Sequence, residues 1–306
     1  MARGFTELKW RLARVLNATG VTPLLVSAAT KRHRDCIRII NLHATPQARS
    51  DGFERQLQFY QRHYCCDVTP DNLHGLVYDG VWDKPRPGLI LTFDDGFYSN
   101  YRVGAPLLEK YGIAGWFFLP TEFLGTPPSE QHAFAKQGNM YLDEELLDPE
   151  SNERLAMTWD EARDLAKRHV IGSHTRTHRR MTSAIGSAQI EDEVVNSRRI
   201  LEERLQVPIR SFCWVGGEPG TYSAEVARKI LAAGYEFGFV TTSALVGPHH
   251  DPFQLHRANV EPCWDLAQTR FQVSGLMDMV NRRRREQVAG VTGSKQCVLP
   301  TAPQFA

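Results

Sequence analysis

The sequence predicts a parallel α/β architecture, and three observations carry that reading. Short, nearly unbroken apolar runs recur as CIRIINL at 36–42, GLILTF at 88–93 and GWFFL at 115–119. Strands buried on both faces, as in parallel sheets, have this composition. Between and beyond them lie segments of helical period, and the alternation of strand with helix is the signature of βα units. Glycines and capping residues punctuate the alternation, as at Gly112 and Gly234.

Taken in order, residues 5–18 place Phe5, Leu8, Leu12, Val15 and Leu16 at helical spacing with basic residues between them, which predicts an amphipathic helix. The run 36–42 is the first strand, and 53–63 is helical with Phe53, Leu57 and Tyr60 on one face. After the 88–93 strand, 103–111 reads as a helix stopped by Gly112, and 115–119 as the next strand. Residues 125–156 are polar and weakly periodic, and are expected to form a loop or insertion over the site. Thr158 followed by Glu161 is a capping-box pattern that opens a helix over 160–168. Strands are then expected at 169–172, 209–215, 236–241 and 255–260. Helices are expected at 190–205 and at 224–233, the latter capped by Ser223.

Composition excludes several classes. With 42% hydrophobic and 23% charged residues the chain can bury a core. Lys plus Arg number 36 against 35 for Asp plus Glu, a balance that gives no electrostatic footprint for nucleic acid. Basic residues do gather near the ends (Lys9, Arg11, Arg14, Lys31, Arg32, Arg34 and 282–285), as solvated helix faces or as a contact for an anionic membrane surface or acidic glycan. The six cysteines have neither CxxC spacing nor scaffold density, so reduced thiols and a cytoplasmic setting are expected. The stretch 21–29 is too short and interrupted for a membrane span or a convincing signal peptide.

In parallel α/β folds ligands collect at the C-terminal ends of strands. Three polar groups stand there: Asp94-Asp95-Gly96 after GLILTF, His174 and His178 in GSHTRTH, and His43 in INLHA. Asp95, His174 and His178 would make a two-histidine, one-carboxylate metal site suited to zinc, with open positions for water and substrate. If the segment is helical, histidines four apart share a face. The same ligand set serves non-haem iron oxygenases, so it does not by itself fix the reaction. Asp94 favours hydrolysis, because adjacent carboxylates repel unless a cation or proton compensates, and a carboxylate beside a metal ligand is placed to be a general base. His43 would then protonate the leaving amine.

These motifs resemble those of the polysaccharide deacetylases, also called the NodB-homology domain or carbohydrate esterase family four. The first family motif, TFDDG, stands intact at Thr92, Phe93, Asp94, Asp95 and Gly96, and the second, H-S/T-x-x-H, at His174, Thr175, Arg176, Thr177 and His178. The resemblance extends over YGIAGWFFLPTEFLGT and MTWDEARDLAKRHVIGSHTRTH, and spans roughly residues 36–261. It implies a distorted (β/α) barrel, often of seven parallel strands, with Asp94 as catalytic base and Asp95, His174 and His178 holding a divalent metal. Zinc is the expected ion, with other divalent transition metals as alternatives.

The family's closing leucine-x-histidine motif is missing after residue 260. A circularly permuted branch, which includes exopolysaccharide and poly-N-acetylglucosamine deacetylases, carries that strand at the N-terminus, and Leu42-His43 occupies the corresponding place. His43 is therefore the expected acid. The third motif departs from the family's F-R-P-P-Y-G and reads Phe212, Cys213, Trp214, Val215, Gly216, Gly217. Arg257 is the candidate to supply the missing charge beside the base. The backbone amide near Gly216 is the expected oxyanion donor, and Trp214 either lines the sugar pocket or packs in the core.

The expected organisation is an N-terminal basic amphipathic helix and linker (1–35), a catalytic domain (36–265), and a C-terminal helix with a flexible tail (266–306). The expected reaction is release of acetate from an N-acetylated amino sugar in a glycan or lipid-linked precursor, with peripheral membrane contact through the first helix. The rival readings are removal of an N-formyl or O-acetyl group by the same chemistry, and a non-catalytic glycan-binding module.

Overall fold

In the computed structural model, residues 2–140 and 154–294 are described, with side chains from Glu7 onward. Eight strands form one sheet: β1 (Ile37–Leu42), β2 (Gly88–Phe93), β3 (Gly115–Leu119), β4 (Val170–Ser173), β5 (Ser211–Cys213), β6 (Phe237–Val240), β7 (Leu245–Val246) and β8 (Leu255–Asn259). They are ordered β2-β3-β4-β5-β6-β8-β1, and β1 pairs back onto β2, so seven parallel strands close a barrel. The short β7 runs antiparallel along the start of β1. Every residue of β1, β2 and β3 is buried, which accounts for their continuous apolar composition.

Strand period decides what fills the barrel and what crowns it. Ile37, Ile39, Ile90, Phe237, Phe239 and Leu255 belong to one apolar cluster with Trp116 and Phe118. Ile40, Leu42, Leu89, Leu91 and Phe93, at the intervening positions, pack in a second cluster with residues of the surrounding helices. Carried upward in steps of two, the first set continues to Asn41 and, just past β1, His43; to Thr92 and, just past β2, Asp94; and to Arg257, Asn259 and, beyond β8, Glu261. The polar residues at the C-terminal rim are the top layers of the same rows that form the apolar floor.

Most expected elements appear, and the capping box forms, with Thr158 N–H donating to Glu161 Oε2 at 2.7 Å and Glu161 N–H to Thr158 Oγ1 at 3.3 Å. Several expectations are corrected. Residues Pro128–Gln137, inside the expected loop, are helical, and 141–153 of that loop lie outside the described residues. Ser223 precedes the helix Ala224–Ala232 without a side-chain capping bond. The linker after the first helix is itself a helix, Val21–Arg32, because Thr22 and Val26 bury one side against the body.

The first helix packs against the segment that follows the barrel. The first helix, Ala2–Ala18, lies against Leu266–Val273. Trp10 meets Trp264 edge to face at 4.6 Å, Lys9 bonds Gln272 at 3.3 Å, and Arg270 bonds Asn17 at 3.0 Å. The C-terminal segment adds helices Leu276–Val280 and Arg282–Thr292, while the expected tail at 295–306 lies outside the described residues.

Candidate metal centre and catalytic cavity

The β1–β2 pairing brings the first two motifs into register. Ile37 sits opposite Gly88 and Leu42 opposite Phe93, and Asp94 N–H donates to Leu42 O at 3.0 Å, so His43 and Asp94 emerge side by side at the rim. Asp95 has a φ of 73°, in the left-handed region that non-glycine residues rarely adopt. Thr175 (67°) and His178 (56°) do the same after β4. Such backbone is held only where surrounding structure over-determines it, and it gathers at functional sites.

The loop carrying the histidines is not helical, contrary to the simplest reading of HxxxH. Its left-handed residues turn the two imidazoles toward each other, with ring centroids 5.0 Å apart. The buried Glu193 pins this loop, its carboxylate accepting the backbone N–H groups of Arg176 and Thr177, each at 2.9 Å.

His174 Nδ1 lies 3.0 Å from Cys213 O, and His178 Nδ1 lies 2.8 Å from Gly138 O. A carbonyl can only accept, so both protons sit on Nδ1 and both Nε2 atoms present lone pairs. Those atoms face Asp95 Oδ1 at 3.5 Å and 3.0 Å. Asp95 Oδ1 is buried and has no hydrogen-bond partner. Three buried lone-pair atoms, all within 4.8 Å of one another, repel unless a cation or a proton sits among them. The residues therefore fit a divalent metal, and nitrogen and carboxylate oxygen are donors that zinc and its neighbours accept.

Asp94 is buried beside this cluster and is held by Arg257, whose Nη1 donates to Asp94 Oδ1 at 2.7 Å. Arg257 is itself 1% exposed and also donates to Thr92 Oγ1 at 3.1 Å and Thr241 Oγ1 at 3.2 Å. Burial alone would raise the Asp94 pKa; the Arg257 guanidinium outweighs it and lowers the value. The barrel thus brings the residue expected to replace the third-motif arginine onto Asp94. Cys213, at the family's arginine position, places its Sγ 3.8 Å from the same Asp94 oxygen.

His43 is half-buried and bonds Glu261 through Nδ1 at 2.9 Å. Burial disfavours its charged form, but the Glu261 bond and charge, then Asp95 and Asp94, raise its pKa to about 9. Sequence reading missed Glu261. It meets His43 only through strand register: Asn41 pairs with Asn259, and two residues further along each chain His43 and Glu261 come together. Glu193 and Gly138 O were also missed, and neither carries a local signal.

A cavity of about 340 Å³ opens at this rim. His43, Asp94, Asp95, His174, His178 and Arg257 all line it, and Gly216, with φ 87°, forms part of its far wall. Asn139, Arg180, Glu218 and Arg284 complete a polar rim. Trp214 does not reach it. The residue is 2% exposed and its ring packs on Phe212 at 5.8 Å and Tyr222 at 5.2 Å, the core packing that was one of its two expected readings.

A closed parallel barrel with a histidine–carboxylate cluster at its C-terminal rim defines the class of barrel proteins with a candidate metal site at the strand ends. The chain belongs to the polysaccharide deacetylase family, whose model matches residues 83–238. The matched region contains Asp94, Asp95, His174 and His178, while His43 after β1 and Arg257 on β8 lie outside it. The chain is 24% identical over 177 residues to Bacillus subtilis (strain 168) YxkH, which carries a polysaccharide deacetylase name, covering 57% of this chain and 52% of that protein. It is 23% identical over 189 residues to the poly-β-1,6-N-acetyl-D-glucosamine N-deacetylase of Escherichia coli (strain K12), covering 53% and 26%. The chain thus spans about half the length of the first relative and a quarter of the second. In fold it is similar to Streptococcus pyogenes deacetylase PplD, with a TM-score of 0.60 at 17% identity over 78% of this chain and 99% of that one. IcaB from Ammonifex degensii gives 0.54 at 20% identity over 80% and 98%.

Proposed function

We propose that this protein is a metal-dependent carbohydrate N-deacetylase that releases acetate from an N-acetylated amino sugar. The observation that carries the reading is Asp94, buried and ionised beside the Asp95–His174–His178 cluster, with His43 on the wall of the same cavity. Family membership and the poly-N-acetylglucosamine deacetylase among the relatives support it.

Asp95, His174 and His178 would hold the ion, with zinc as the first choice, and when bound it supplies Lewis-acid activation of water and of the acetamide carbonyl. Asp94 keeps one oxygen bonded to Arg257 and offers the other, Oδ2, to take the proton of the attacking water. Arg257 keeps that carboxylate ionised. The backbone N–H near Gly216 is assigned to the developing oxyanion, a contribution of about 3 kcal/mol in comparable sites. His43, protonated and aligned by Glu261, delivers its proton to the departing nitrogen.

The proposed substrate is a glycan of the exopolysaccharide type or its lipid-linked precursor, reached with peripheral membrane contact. Acetate release from N-acetylglucosamine oligomers and lipid-linked forms, measured with metal content on one preparation, tests the reading. One equivalent of metal with acetate release is expected. Turnover confined to N-formyl or O-acetyl sugars would replace the acyl group in the proposal, and folded protein that takes up no metal would overturn the mechanism.

A further inference from the structure

Each of the first two helices leaves an apolar stripe facing outward as well as packing a side on the body. On the first helix, Trp10, Ala13 and Asn17 face the body, through Trp264 and Arg270. On the opposite side, Leu8, Leu12 and Val15 fall on one stripe and are 65%, 49% and 59% exposed. The second helix repeats the pattern: Thr22 and Val26 are buried, while Val21 and Leu24 are 38% and 71% exposed. Single exposed leucines are ordinary, but consecutive apolar stripes on adjoining helices mark a surface that something covers.

The charge around the stripes selects the occupant. Arg11 flanks the leucine stripe of the first helix, and Lys31 and Arg32 close the outward face of the second, with Arg34 just beyond. All four are exposed, against two exposed carboxylates in the same segment, Glu7 and Asp35. A second copy would bring cations against cations. A bilayer surface rich in anionic headgroups satisfies both features, with leucines entering the acyl boundary and the cationic side chains reaching back to phosphate. No single helix among the described residues is long and apolar enough to cross a membrane, and the two meet at 79°. That bend, with their inner sides packed on the body, suits lying on a surface.

We propose that the helix pair Ala2–Ala18 and Val21–Arg32 is an interfacial docking element for anionic membrane surfaces. It rests on the membrane contact proposed above and is independent of the metal chemistry. The whole chain is mixed with sedimentable vesicles of phosphatidylcholine alone or with added phosphatidylglycerol, at low and high salt. Wild type is expected to sediment with the anionic vesicles and to be released by salt. Leu8→Asp/Leu12→Asp and, separately, Leu24→Asp should weaken partition at least about ten-fold, the exposed sites leaving the fold and turnover of a soluble N-acetyl sugar intact. Wild type that stays in the supernatant, or variants that bind equally, would overturn the docking proposal. So would a wild-type dimer that the variants dissolve, which would assign the stripes to self-association. Because binding is read without substrate and turnover without vesicles, failure here is distinguishable from failure of the deacetylase reading.

Discussion

Arg257 and Asp94, 163 positions apart in the chain, form a buried ion pair of 2.7 Å at the barrel's rim. Asp94 ends the inward row of β2, and Arg257 stands in the inward row of β8, two strands away across β1. The pair keeps a carboxylate ionised where burial would otherwise protonate it.

Arg257→Met should therefore raise the Asp94 pKa. A base must be deprotonated to act, so the acid limb of the kcat/KM profile is expected to move to higher pH. A profile whose acid limb stays in place would show that Arg257 serves packing only.

Asp94→Asn should lower turnover by about 10²–10⁴-fold while metal content is unchanged, as expected of a general base. His174→Ala should instead lose metal and turnover together. Metal analysis beside acetate release separates the two roles; normal turnover by Asp94→Asn would refute the scheme.

The pKa of His43, raised to about 9, predicts the alkaline side. An acid acts only while protonated, so activity should persist through neutral pH and fall as pH rises through that value. Glu261→Gln removes the bond and charge that support the proton and should bring the limb down by about one unit or more. The same limb in wild type and variant would leave Glu261 without this role.

Glu193→Gln withdraws a charged acceptor from the backbone of the histidine loop. Metal affinity should drop about 10–100-fold, as when outer partners of metal ligands are removed. A competitive chelator titration reads this directly, and unchanged affinity would show that the loop holds its shape without the carboxylate.

Trp214→Ala should cost about 3–5 kcal/mol of stability, because it empties a core site between Phe212 and Tyr222. Denaturant unfolding should register the change, with KM close to wild type. A large KM effect at unchanged stability would return Trp214 to the substrate.

The sequence by itself determined the parallel architecture, because β1, β2 and β3 are buried on both faces and have apolar residues at almost every position. It also picked out Asp94, Asp95, His174 and His178, since local motifs at strand ends carry their own chemistry. His43 was legible for the same reason.

What only the tertiary structure decided are relationships between strands that are distant in sequence but adjacent around the barrel. The landing of Arg257 on Asp94 and of Glu261 on His43 depends on the register of β8 beside β1, which no local pattern encodes. The inward side of Trp214, the grip of Glu193 on the histidine loop, and the outward leucines of the first helix are likewise outcomes of packing. Periodicity reveals that a helix has an apolar face; only the assembled fold decides whether that face turns toward the core or away from it.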